Sequence, residues 1–130
     1  MSAIGETWFL NKGWKPHRFQ KETWDQMAHG KSGLLNAPTG SGKTLALWFG
    51  VLENYYRTVF PITKKRHLHC LWITPLRALS KEIAKATQEV SDDLALDYTI
   101  ELRTGDTSSY RRQQQRTKPP HCFITTPESV

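Results

Sequence analysis

Cysteine is scarce in this chain, with two in 130 residues, Cys70 and Cys122, far apart and each inside an apolar run. Neither has a second cysteine at metal-ligand spacing, which argues against a zinc ribbon or a disulfide scaffold, and both are expected as buried free thiols. His17, His29, His67, His69 and His121 show no zinc-like spacing with Cys, Asp or Glu. A serine nucleophile elbow is missing too. No apolar run approaches the roughly 20 residues of a membrane-spanning helix. Residues 1–11 also lack a basic stretch followed by a hydrophobic one, so a soluble cytoplasmic protein with no membrane partner is expected. Acidic residues are in the minority, 12 Asp and Glu against 18 Lys and Arg, for a formal net charge of +6. That excess suits a polyanionic partner without demanding one. Internal repeats and low-complexity segments are absent. With 38% hydrophobic residues and five tryptophans, the chain has the material for one core.

Against these absences stands one dense motif, Ala-Pro-Thr-Gly-Ser-Gly-Lys-Thr from Ala37 to Thr44. It has the spacing of a phosphate-cradling P-loop, with Ala37 in place of the usual opening Gly. A triphosphate presents clustered anionic oxygens. It needs backbone N–H groups at close range, a long cation and a hydroxyl for the magnesium shell. Thr39, Gly40, Ser41, Gly42, Lys43 and Thr44 form the expected site for ATP and Mg²⁺. Gly40 and Gly42 allow the tight turn, Lys43 reaches the outer phosphates, and Thr44 offers its hydroxyl to the metal while opening a helix. Lys43 and Thr44 are the catalytic candidates. The flanks comply: residues 33–36 are a short apolar run expected as a buried parallel strand, and residues 45–52 are apolar almost all round, as in a buried helix. Gly50 is the one weak helix former there.

Taken in order, residues 7–11 predict a short helical turn and Pro16 the first turn of a second helix. Phe19, Thr23, Trp24, Met27 and Ala28 recur in that helix until Gly30 ends it. Gln20 stands beside the apolar stripe; its amide could read an adenine edge or simply face water. Residues 54–68 read as a helix end and loop, with Lys64, Lys65 and Arg66 as a solvated tip. A second strand is expected over 69–73, then a helix whose core stripe is Leu76, Leu79, Ile83, Ala86 and Val90. A third strand over 98–102 leads to a basic helix over 108–116, capped by Asp106 or Thr107. A fourth spans 121–124 and precedes another helix start. Arg103, Arg111, Arg112, Arg116 and Lys118 read equally as a phosphate-facing patch or a solvated face. Strands alternating with helices imply a parallel sheet covered on both faces.

Several motifs in this order resemble the superfamily 2 helicases, most closely the Lhr-type branch and the ligase-associated DEXH-box helicases. Residues 13–20 look like the adenine-reading Q motif, 37–44 like motif I, and Thr74-Pro75-Leu76-Arg77-Ala78-Leu79 like motif Ia. Thr104-Gly105-Asp106-Thr107 and Thr125-Thr126-Pro127-Glu128-Ser129 resemble further nucleic-acid-contacting motifs. The resemblance implies an α/β P-loop NTPase with a RecA-like, three-layer parallel sheet, present as an incomplete domain. Residues 1–32 would be the Q-motif lead-in and 33–130 the partial core of the first helicase domain. It further implies Gln20 as an adenine contact with Trp14 or Arg18 beside it, and Pro75, Arg77, Gly105 and Thr126 as strand contacts. The implied activity is ATP-dependent helicase or translocase action on DNA, or on RNA, in repair, with a DNA ligase or nuclease as a possible partner. The family's Asp-Glu-x-His element is not in these residues, and Asp92-Asp93 follow a helix, so this segment alone is expected to bind nucleotide and hydrolyse it negligibly. Two other readings stay open: a P-loop ATPase without strand separation, and a stand-alone nucleotide- or nucleic-acid-binding module.

Overall fold

The computed structural model describes residues 3–38, 42–62, 67–105 and 107–129. It divides into two units, Met1–Lys64 and Lys65–Val130. The first is helical: α1 (Ala3–Asn11), α2 (Arg18–Ala28) and α3 (Lys43–Asn54), the last running into a wide π-type turn over Tyr55–Val59. Pro16, expected in the first turn of this helix, instead lies before its N-cap His17, in an extended lead that suits a residue without a backbone donor. Gln20, Trp24 and Ala28, spaced by four, turn one face of that helix inward. In α3, residues from Ala46 to Glu53 are buried with the single exception of Leu47, as an apolar run predicts. Gly50 has a packing reason, because a Cβ there would run into Met27 of α2, at 2.8 Å from its Cβ. The missing side chain lets the two helices approach closely, offsetting the roughly 1 kcal/mol lost in helix propensity.

The core of this unit is aromatic. Trp24 meets Phe49 edge-on at 5.5 Å, Trp8 lies 5.6 Å from Phe49, and Phe9 lies 6.1 Å from Trp24. Such ring pairs add about 0.5–1.5 kcal/mol each beyond the area they bury. The first helix is longer than the short turn expected, and both Trp8 and Phe9 are buried in it. Glu53, a buried carboxylate on α3, accepts the Ile4 backbone N–H at 3.0 Å, which satisfies one of the unpaired donors at the start of α1.

In the second unit β1 (Cys70–Ile73), α4 (Arg77–Asp93), β2 (Ile100–Arg103), α5 (Ser109–Thr117) and β3 (Cys122–Thr125) alternate, and a short 3₁₀ turn follows over Pro127–Ser129. The three strands form a parallel sheet in the order β1-β3-β2. Register is in step throughout: Ile73 and Arg103 both pair with Thr125, and Cys70 and Ile100 both pair with Cys122. β3 sits in the middle with every residue buried, which is why His-Cys-Phe-Ile-Thr reads as a continuous run rather than an alternating one.

Three expectations are corrected. Residues 33–36 form no strand; Leu34 is 93% exposed, and the strands among the described residues all lie beyond residue 69. An apolar run becomes a strand only when a neighbouring strand takes its backbone groups, and the first unit offers none. The inward face of α4 is also rotated from the expected stripe: Ser80, Ile83, Thr87, Val90 and Ser91 are buried, while Leu76 and Leu79 are exposed. Hydroxyls can line this face because they are satisfied locally. Ser80 Oγ lies 2.6 Å from Thr74 Oγ1, and Thr87 Oγ1 donates to the Ile83 carbonyl at 2.8 Å. Finally, Ser108 caps α5, accepting the Arg111 N–H at 3.2 Å. Thr107 instead closes the preceding loop by accepting the Thr104 N–H at 2.9 Å, and Asp106 lies outside the described residues.

Candidate functional site

Gly42 is the hinge of the first unit's candidate site. It precedes α3 at φ +94°, a left-handed conformation that glycine takes at no steric cost. A Cβ at this position would also collide with the Gln20 amide. Gln20, only 2% exposed, donates from Nε2 to the Gly42 carbonyl at 3.1 Å and accepts the His17 N–H at its Oε1 at 2.8 Å. One side chain therefore ties the start of its own helix to the last glycine of the P-loop. An amide carries two donors and two acceptor positions, so one of each remains after these bonds.

A cavity of about 280 Å³ opens beside this bridge, lined by Phe9, Trp14, Lys15, His17, Gln20, Gly42 and Leu45. Trp14, 57% exposed, leans edge-on against Trp8 at 5.7 Å, leaving ring surface at the mouth. Arg18 does not line the cavity, and its guanidinium pairs with Glu22 at 2.7 Å. Lys43 and Thr44 occupy the first turn of α3, which holds no acidic residue, so the positive end of the helix is unopposed by a local carboxylate. Thr39, Gly40 and Ser41 lie outside the described residues. A larger cleft of about 580 Å³ runs along Phe19, Met27, Leu34, Leu35 and Leu47, but neither Gly42 nor Lys43 lines it.

The donor set fits a nucleotide: a cavity edged by an amide with a spare donor and acceptor, next to a helix N-terminus carrying a lysine and a hydroxyl.

In the second unit the in-step register carries the candidate strand contacts to one edge. Pro75 follows the end of β1, Gly105 the end of β2 and Thr126 the end of β3, so all three sit beyond the carboxyl ends of parallel strands. That edge is where ligands gather in open α/β sheets. Arg77, at the start of α4, lays its guanidinium against Gly105, where a Cβ would strike Nη2. Thr126 is buried and donates its hydroxyl to Glu128 Oε1 at 2.7 Å. This hydrogen bond, chiefly, holds the Glu128 carboxyl below the usual range; a backbone N–H and the Arg77 charge add to it. Sequence reading gave Glu128 no separate role. The Thr-x-Glu spacing was a signal that could have linked it to Thr126.

The basic residues of this unit divide by use. Arg112 donates to the Thr104 carbonyl at 2.7 Å and to the Thr107 carbonyl at 3.3 Å, bracing the loop that carries Gly105. Arg111 approaches Glu101 at 3.4 Å, and Arg103 lies over the Phe123 ring at 5.8 Å. Arg116 and Lys118 are exposed. Three of the five cations thus shape the fold, leaving Arg77 better placed toward the edge than the late cluster.

Residues 17–130 match the DEAD/DEAH box helicase family model. The chain belongs to that family. Its residues are 38% identical over 116 positions to the ATP-dependent helicase Lhr-Core of Sulfolobus acidocaldarius, a match covering 85% of this chain and 13% of the relative. They are 32% identical over 143 positions to the Lhr helicase/uracil glycosylase of Escherichia coli, covering 99% of the chain and 9% of the relative. Among solved structures, Mycobacterium smegmatis helicase Lhr bound to ssDNA and AMP-PNP aligns with a TM-score of 0.72 at 29% identity, covering 98% of the chain and 17% of that protein. The DUF1998 helicase MrfA bound to DNA aligns with a TM-score of 0.80 at 24% identity and supports the fold. The fold is therefore the RecA-like α/β fold of P-loop helicases, present here as part of a domain. The chain spans only about an eighth of the length of the first relative. Among the described residues no helix is long and apolar enough to cross a membrane, and no group of His, Cys, Asp or Glu could hold a metal ion.

Proposed function

We propose that this chain is the amino-terminal part of the first RecA-like domain of an ATP-dependent DNA helicase or translocase that works in repair. The observation that carries the reading is the Gln20 bridge: a buried amide joined to the Gly42 carbonyl at 3.1 Å, on the wall of a cavity that Gly42, the residue before Lys43, also lines. Gln20 and Trp14 would hold the base, and Lys43 would hold the phosphates with the backbone of residues 39–42. Thr44 would offer its hydroxyl to magnesium. Bound ATP supplies a phosphoanhydride whose hydrolysis drives movement. These residues bind and orient; the acids that position water in this family are not among them, so the segment alone is proposed to turn over negligibly. Pro75, Arg77, Gly105 and Thr126 would contact a nucleic-acid backbone, a role supported by their shared sheet edge. A cytoplasmic location and a ligase or nuclease partner complete the proposal.

The test is Lys43→Ala in the full-length gene product, measured by strand-stimulated ATP hydrolysis and by unwinding of a tailed DNA duplex. A loss of at least about 100-fold in both is expected, as for removal of a cation that meets the transferring phosphoryl group. Turnover near that of the unsubstituted protein would overturn the nucleotide assignment. Hydrolysis without unwinding in the unsubstituted protein would reduce the reading to a P-loop ATPase.

A further inference from the structure

The two cysteines stand 52 positions apart in the chain yet are directly laddered partners, Cys70 on β1 against Cys122 on β3. Laddered residues of parallel strands point to the same face, and adjacent strands lie about 4.8 Å apart. A disulfide spans Cα separations of about 4.4–6.8 Å, so the ladder itself brings this pair into bonding range. Both thiols are free. Their exposure differs: Cys122 is fully buried, whereas Cys70 is half-buried. The neighbouring His69 and His121 alternate to the opposite face, which separates imidazoles from thiols and argues against a shared metal.

We propose that Cys70 and Cys122 form an oxidation site, a dithiol that hydrogen peroxide converts to a reversible disulfide joining β1 to β3. Cys70 is the attacking sulfur, since it has the solvent access. Its thiolate attacks one peroxide oxygen, the O–O bond breaks, and Cys70 becomes a sulfenic acid as water leaves with the thiol proton. Cys122 then attacks the Cys70 sulfur, the S–S bond forms, and the hydroxyl departs as a second water carrying the Cys122 proton. Two thiols are oxidised and one hydrogen peroxide molecule is reduced. The bond would fasten β1 and β3 four positions ahead of Thr74 and Thr126, at the end of the ladder away from the loops that carry Pro75 and Thr126.

The experiment treats the folded, full-length protein with hydrogen peroxide, quenches with a maleimide and maps tryptic peptides with and without dithiothreitol. A joined pair of peptides containing Cys70 and Cys122, dissolved by the reductant, is expected. Cys122→Ser should abolish the pair and leave Cys70 labelled by dimedone, a sulfenic-acid probe. Three results would overturn the proposal: both thiols still maleimide-reactive at peroxide levels that oxidise free glutathione, Cys70 carried on to sulfinic acid without the joined pair, or either cysteine cross-linked only between molecules. Because the main readout uses the unsubstituted protein, a folding defect in the variant does not obscure it.

Discussion

The two units of this chain hold their candidate sites by different means. The first is a helical cluster around Trp24, Trp48 and Phe49, and it fixes the P-loop exit through one side chain, Gln20. The second is a three-stranded ladder whose register delivers Pro75, Gly105 and Thr126 to one edge without any single side chain deciding it. A site held by one amide is sensitive to that amide alone. A site held by a ladder is sensitive to whatever breaks the ladder, and its contacting residues can be exchanged with less effect on geometry.

The strongest test of the separation is Trp24→Ala. Removing a fully buried indole should destabilise the first unit by about 3–5 kcal/mol. Hydrogen exchange should show lost protection in α1, α2 and α3 while β1, β2 and β3 keep theirs. Equal loss in both units would break the comparison and make them one cooperative body. Next in size, Gln20→Ala removes the bonds to Gly42 and His17 and should weaken nucleotide binding roughly tenfold, with about 1–2 kcal/mol of stability lost. Fluorescent-nucleotide titration checks it, and unchanged affinity would remove Gln20 from the site.

Smaller effects are expected in the second unit. Arg77→Ala should weaken strand binding across sequences and flatten the salt dependence by roughly one unit, because one cation leaves the interface. Gly105→Ala pushes a Cβ into the same guanidinium, so the two substitutions together should cost less than their sum. Full additivity would mean the Arg77–Gly105 contact does not position the cation.

The smallest effect is one of pH. Burial, and then His121 and His67, hold the His69 imidazole below its ordinary value of 6.5. Its Nδ1 lies 2.9 Å from the Tyr98 hydroxyl. A histidine with a lowered folded pKa binds fewer protons folded than unfolded, so its contribution is fully present above pH 6.5 and is lost as pH falls through the folded pKa. Denaturation of the second unit should therefore ease below about pH 6.5, and His69→Gln should flatten that slope. An unchanged slope would assign the acid sensitivity elsewhere.

Much of this was legible beforehand because it depends on local chemistry. Gly42 announces the tight turn before α3, the Trp24–Ala28 spacing announces an inward helix face, and the alternation of β1, α4, β2, α5 and β3 requires crossovers and hence parallel strands. Residues 33–36 were misread because an apolar run looks the same whether or not a neighbouring strand completes it. The α4 stripe was misread because counting apolar residues cannot foresee that Ser80 would find Thr74 and that Thr87 would bond back to Ile83.

The sequence by itself determined most of the helices, the three strands beyond residue 69 and the family, since propensity, periodicity and motif spacing act along the chain. Only the tertiary structure decided which side chains meet. Gln20 reaches Gly42, Arg77 covers Gly105, and Cys70 faces Cys122. In the sheet the physical reason is register, and for Gln20 and Gly42 it is the packing of α2 beside the start of α3. A one-residue slip in a parallel ladder moves every pair to the other face, and that choice rests on packing and hydrogen bonds summed over the fold rather than on any residue's own preference.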